Sequence, residues 1–132
     1  MKIYGIGTDV VNINRIKRSI KNKNFISRLF NKNEIKKCNG QINKANCYAK
    51  RFAAKEAFSK AIGTGISKGI NFDEIIVYNI KSGKPAIKLL GNTKKIVNKI
   101  LNKKKINIFL SLSDDKPFAV ATVVISIWIK RI

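Results

Sequence analysis

The chain has no histidine, two cysteines, two prolines and seven acidic residues among its 132 positions. Without histidine there is no Ser-His or Cys-His couple and no imidazole metal ligand, so carboxylates, lysines, hydroxyls and backbone groups must do any chemistry. Cys38 and Cys47 stand without a second pair, which supports neither a zinc cluster nor a disulfide framework, and both read as ordinary helix residues. Scarce proline, together with the lack of a repeat or low-complexity tract, leaves nothing to mark an interdomain linker. Long apolar runs are missing too. The longest, Phe118 to Ile129, is interrupted by Thr122 and Ser126 and falls short of the roughly 20 residues that span a bilayer as a helix. The N-terminal MKIYGIGTDVV lacks the apolar stretch of a secretory signal. The expectation is one cytoplasmic domain over residues 1–132 that does not cross a membrane.

What the chain has in excess is positive charge: 28 Lys and Arg against 7 Asp and Glu, a net charge of +21. Such a surface draws polyanions, acidic proteins among them. Lys, Asn and Ile are enriched together, as an AT-rich coding sequence favours, so the placement of single charges carries more weight than their sum. Stretches such as Lys103-Lys104-Lys105 motivate an alternative reading as a nucleic-acid-binding module. The aromatic content of 8% forms no obvious stacking platform for single strands.

Residues 2–10 read as a strand that ends near Asp9, and 12–20 as a helix with Ile13, Ile16 and Ile20 on one side. Asn31 followed by Glu34 resembles a capping box opening a short helix through Cys38, with Gly40 as its stop, and the cap is by itself a sufficient reading of Glu34. From Asn43 to Ile62, Ala45, Tyr48, Ala49, Phe52, Ala53, Ala57 and Ala61 recur at helical spacing, and Gly63 or Gly65 ends the run. Strands follow at 72–80 and 86–90, joined by a turn through Gly83-Lys84-Pro85, then a helix at 93–101. Strict alternation at 106–112, a turn over 113–117 and a strand from Phe118 to about Ile129 complete the pattern. This order predicts an α+β domain with a mainly antiparallel sheet packed against one long helix.

Two of the carboxylates are oddly placed. Asp9 lies among Gly5, Gly7, Val10 and Val11, where an ionised group is poorly solvated unless paired or bound to a metal. Glu56 sits on or beside the apolar stripe of the long helix. The plain reading has Glu56 paired with Lys60 one turn on, Asp9 capping the next helix, and Arg51, Lys55 and Lys60 forming an exposed basic face. The alternative is a hard divalent ion held by the two carboxylates and by substrate phosphates, with those three cations neutralising further phosphate charge. Gly63-Thr64-Gly65 would let a backbone approach a ligand, and Lys84 beside Pro85 would make a well-held phosphate contact; a helix end and a turn explain both as well.

GIGTDVVNINRI (5–16), RFAAKEAFSKAIGTG (51–65), GKP (83–85) and SLSDDKPFAVATVV (111–124), in that order, resemble the holo-acyl-carrier-protein synthase family of small phosphopantetheinyl transferases. The resemblance spans nearly the whole chain. It implies transfer of the 4′-phosphopantetheine arm of coenzyme A to a serine of apo acyl carrier protein, releasing adenosine 3′,5′-bisphosphate, in support of fatty acid biosynthesis. It further implies a homotrimer with sites between subunits. Asp9 and Glu56 would bind Mg²⁺, and Lys60, Gly63 and, from a neighbouring subunit, Gly83-Lys84-Pro85 would contact coenzyme A. Asp9, Glu56 and Lys60 would carry the catalysis, and Arg15 would meet the acidic carrier. The chain departs from the family where a His often precedes the last strand, having Phe109 and Asp114 there, and where a Glu commonly follows the metal Asp, having Asn12.

Overall fold

In chain order the elements are β1 (Lys2–Asn12), α1 (Ile13–Ser19), α2 (Lys23–Leu29), α3 (Lys32–Asn39) and α4 (Lys44–Ile62). After a 3-10 turn at Phe72–Glu74 come β2 (Ile75–Asn79), β3 (Pro85–Leu89), α5 (Gly91–Ile100), β4 (Ile106–Asp115) and β5 (Phe118–Ile127). The computed structural model describes residues 1–63 and 69–129. Helix α4 is the axis of the fold. Asn43 caps its first turn by accepting from the Asn46 N–H, and Gly63 ends it in the left-handed region, φ 86°. Alanines and Phe58 are buried around most of its circumference, as in a helix enclosed by a core.

The expected antiparallel pairing is present but divided between two sheets. One has the order β1-β5-β4, the other is the hairpin β2-β3. On β2 the Val77 N–H is taken by a side chain, donating to Glu34 Oε2 at 3.0 Å from the α3 side, while β3 is the hairpin strand that lies beside β4. The segment expected as a strand from Phe72 begins instead with the 3-10 turn. There Glu74 turns away to accept from the Asn92 and Thr93 N–H groups at the start of α5. The turn expected over 113–117 shrinks to Lys116-Pro117, with a cis peptide bond, because pairing continues to Asp115↔Phe118.

Alternation along β1 turns Gly5, Gly7, Asp9 and Val11 toward α4. A Cβ at Gly5 would run into the Ala61 carbonyl, and one at Gly7 into the Ala57 carbonyl. Glycine on the strand and alanine on the helix therefore bring two backbones into direct contact. The opposite face of this sheet is apolar and open: Ile6, Val124 and Phe109 align across the three strands, with Ile6 62% and Phe109 47% exposed.

Cys38 and Cys47 correct the reading of them as plain helix residues. They form a disulfide between α3 and α4, Cα–Cα 5.4 Å. Helix α2 was not anticipated from the sequence. It is short, has no fully buried residue, and is signalled only by its Asn22 cap and by Phe25, Ile26 and Leu29 at helical spacing.

Candidate functional site

The seat of α4 on β1 determines what surrounds Asp9. Glu56 immediately precedes Ala57, which lies on Gly7, and Lys60 precedes Ala61, which lies on Gly5. Asp9 is the next inward position on the strand beyond Gly7. Lys60 Nζ donates to Asp9 Oδ1 at 3.1 Å and to the Thr8 carbonyl at 3.0 Å. The expected Lys60–Glu56 ion pair is therefore replaced by one to Asp9, and Asn12 rather than Asp9 caps α1. Glu56 stays half-buried beside them. Burial, then the charge of Asp9, pushes its pKa above the ordinary glutamate value, with Lys60 acting in the opposite sense. Among the described residues no third potential metal ligand joins the carboxylate pair.

The other two cations expected near Glu56 lie elsewhere. Lys55 is 0% exposed, and its Nζ donates to Glu34 Oε1 at 2.7 Å, to the Phe72 carbonyl at 2.6 Å and to the Ile75 carbonyl at 2.7 Å. Three acceptors match the three hydrogens of an ammonium, so none remains for a phosphate. Glu34, read as a cap, does close the capping box and is also the buried partner of Lys55. Arg51 is buried as well, with Nη1 on Cys47 Sγ at 3.1 Å and Nη2 on Asn79 Oδ1 at 3.4 Å.

Gly63 is the left-handed end of α4, while Thr64 and Gly65 lie outside the described residues. Gly83, at φ 91°, shapes the hairpin turn, where its carbonyl accepts from Asn79 Nδ2 at 2.9 Å, and Lys84 is exposed. Within one chain this turn is not brought to Asp9. Gly83 borders an opening with Cys47, Lys50 and Arg51, at the other end of α4 from Lys60. From Arg51 to Lys60 the helix advances about 13 Å. Arg15 is exposed on α1, beside Phe25 and Phe52, without an acidic partner among the described residues.

Asp114 accepts from Asn46 Nδ2 at 3.0 Å and pairs with Lys50 at 3.3 Å. The Asn46 bond acts most strongly on its carboxyl; burial opposes it, and the charge and hydrogen bond of Lys50 with the charge of Lys116 tip the balance, leaving the pKa below the ordinary range. It is thus an anion that ties β4 to α4 and a poor proton acceptor. Phe109 is on the outer sheet face.

Glycines inside a strand, such as Gly5 and Gly7, ordinarily weaken it. Here they are what allows the site to form, and the signal was present: small residues two apart on the strand facing small residues four apart on the helix.

Residues 5–123 match the model of the 4′-phosphopantetheinyl transferase superfamily. The chain belongs to that superfamily. Among its relatives, the holo-[acyl-carrier-protein] synthase of Pelagibacter ubique is 50% identical over 125 residues, covering 95% of this chain and 98% of the relative. The holo-[acyl-carrier-protein] synthase structure from Neisseria meningitidis superposes with a TM-score of 0.83 at 36% identity, covering 94% of this chain and 98% of that one. A Bacillus anthracis holo-(acyl-carrier-protein) synthase in complex with CoA (3′,5′-ADP) does so with a TM-score of 0.77 at 36% identity, covering 95% and 97%. The superfamily motifs around Asp9 and Glu56 are thus the two segments that meet at the α4–β1 contact.

Proposed function

We infer that this transferase moves the 4′-phosphopantetheine arm of coenzyme A onto a serine hydroxyl of an apo acyl carrier protein and releases adenosine 3′,5′-bisphosphate. The observation that carries this reading is the meeting of Asp9, Glu56 and Lys60 on the α4–β1 contact, in a chain of this superfamily.

The donor set fits Mg²⁺. Two neighbouring carboxylates, one raising the pKa of the other, leave negative charge that a hard cation relieves, and magnesium typically takes one or two protein carboxylates with water and phosphate oxygens. Asp9 and Glu56 would hold the ion, which when bound supplies charge neutralisation at the pyrophosphate. Lys60 uses two of its three donors on Thr8 and Asp9, so one is left for a phosphate oxygen of coenzyme A. The serine oxygen attacks the phosphorus that bears the pantetheine arm, the bridging P–O bond breaks, and the nucleotide leaves as a phosphate. With no histidine present and Asp114 held as a weak base, we assign the serine proton to Glu56, acting across a water.

Arg15, exposed and without an acidic partner among the described residues, suits an acidic carrier. Gly83-Lys84-Pro85, remote from Asp9 in its own chain, suits a contact delivered from a neighbouring subunit. The open apolar face with Ile6, Val124 and Phe109 is the surface on which copies would meet as a homotrimer. Residues 1–132 act as one domain in this reading, in the cytoplasm, and among the described residues no helix is long and apolar enough to cross a membrane.

Incubation with coenzyme A, Mg²⁺ and apo carrier protein should add the mass of phosphopantetheine to the carrier. A chelator should prevent the gain and fresh Mg²⁺ restore it; no gain with any divalent ion removes the assignment.

A further inference from the structure

Cys38 closes α3 and Cys47 opens α4, and the two sulfurs are bonded within the core. Their surroundings lead outward. Cys47 Sγ accepts from Arg51 Nη1 at 3.1 Å, Arg51 Nη2 donates to Asn79 Oδ1 at 3.4 Å, and Asn79 Nδ2 donates to the Gly83 carbonyl at 2.9 Å. An unbroken string of hydrogen bonds thus joins the disulfide to the Gly83–Pro85 turn. Cys47 also borders an opening of about 330 Å³ lined by Lys37, Lys50 and Arg51, which gives small molecules a route and favours anionic ones such as thiolates.

We propose that Cys38–Cys47 is a redox modification site, a thiol–disulfide couple that sets how firmly Arg51 and Asn79 hold the Gly83–Pro85 turn. A thiolate of a dithiol reductant attacks Cys47 Sγ, the bond to Cys38 breaks, and Cys38 leaves as a thiolate and takes a proton. The reductant's second thiol then attacks the mixed disulfide and releases Cys47. Two electrons have passed to the protein, and the reductant ends as a disulfide. The change matters because of Arg51. Beside a disulfide its guanidinium has a weak neutral acceptor; beside a freed Cys47 thiolate it has an anion. The anion draws Arg51 from Asn79, the longest bond in the string, and the turn loses its support.

The functional consequence rests on the reading of that turn as a coenzyme A contact. Protein purified in air, denatured and treated with N-ethylmaleimide should gain no adduct, and two adducts after dithiothreitol. In the native enzyme, dithiothreitol should raise the KM for coenzyme A about 5-fold, the weight of one ordinary hydrogen bond, with kcat and the carrier KM little changed. Reoxidation should reverse the effect. The Cys38→Ala/Cys47→Ala protein should show no response to reductant. Two adducts without reductant, or a coenzyme A KM that ignores reduction, would overturn the proposal. If neither redox state transfers phosphopantetheine, the transferase reading fails instead. The adduct count and the affinity of each state for adenosine 3′,5′-bisphosphate then decide the couple.

Discussion

Helix α4 carries three lysines at five-residue intervals, Lys50, Lys55 and Lys60, each bonded to a carboxylate, and the last two pairs behave as opposites. Lys55 and Glu34 are sealed from water, and every ammonium hydrogen has an acceptor. Lys60 and Asp9 form a pair whose lysine side chain is 55% exposed, beside a second carboxylate that burial and Asp9 together disfavour as an anion. A saturated pair fastens elements together, here α3, α4 and the approach to β2. An unsaturated pair has capacity left over for a ligand. The difference separates structural from functional charge in a chain where positive charge is everywhere.

The sharpest way to break the comparison is to remove one partner from each pair. Lys55→Met leaves Glu34 buried without its cation and should cost about 3–5 kcal/mol in a urea denaturation, because the orphaned carboxylate must be desolvated alone. Adding Glu34→Gln should recover part of that loss. Asp9→Ala or Glu56→Ala should instead reduce transfer at least ~100-fold while the melting curve keeps its shape. Equal stability losses at both pairs would remove the distinction. Arg15→Glu should raise the KM for the carrier about 10-fold and leave that for coenzyme A nearly unchanged.

The smallest effects are in pH dependence, and they have opposite signs. The folded pKa of Glu56 lies above its unfolded value, so ionising it disfavours the fold at neutral pH and that penalty disappears as pH falls. Without metal, Glu56→Gln should therefore melt slightly higher than wild type at pH 7, and the gap should close in acid. Glu74 is the reverse case. Burial alone would raise its pKa, but hydrogen bonds from Thr93 and Asn71 and from the backbone of Thr93 and Asn92 outweigh it and leave the value lowered. Its stabilisation is full above the unfolded glutamate pKa of about 4.3 and is lost as pH falls through the folded value. Thr93→Val should shrink that acid-side loss, as read from melting temperatures between pH 5 and 3.

Much of this was legible in the sequence, for identifiable reasons. The long helix announced itself by alanine and aromatic spacing, its Asn43 start and its glycine end, because those signals are local. Asp9 and Glu56 stood out because a carboxylate is conspicuous among glycines or on an apolar stripe. What stayed hidden depends on three dimensions. Whether Lys55 or Lys60 faces the site is settled by which side of α4 meets the strand, and nothing in KEAFSK reveals the acceptors at Phe72 and Ile75. The disulfide was missed because helix spacing places two cysteines in elements without saying how those elements cross. Glu34 reaching across to Val77 was hidden for the same reason, being a contact between positions 43 apart in the chain.

The backbone contact between Gly5 and Gly7 of β1 and Ala57 and Ala61 of α4 has a mechanical consequence. Where elements meet through long side chains, rotamer changes let the gap breathe; where main chain rests on main chain, it is fixed by van der Waals radii alone. The spacing between the two carboxylates should therefore be stiff, insensitive to heating and to repacking elsewhere in the core. Truncating Phe58 would then soften the whole protein well before it altered the affinity for a divalent ion.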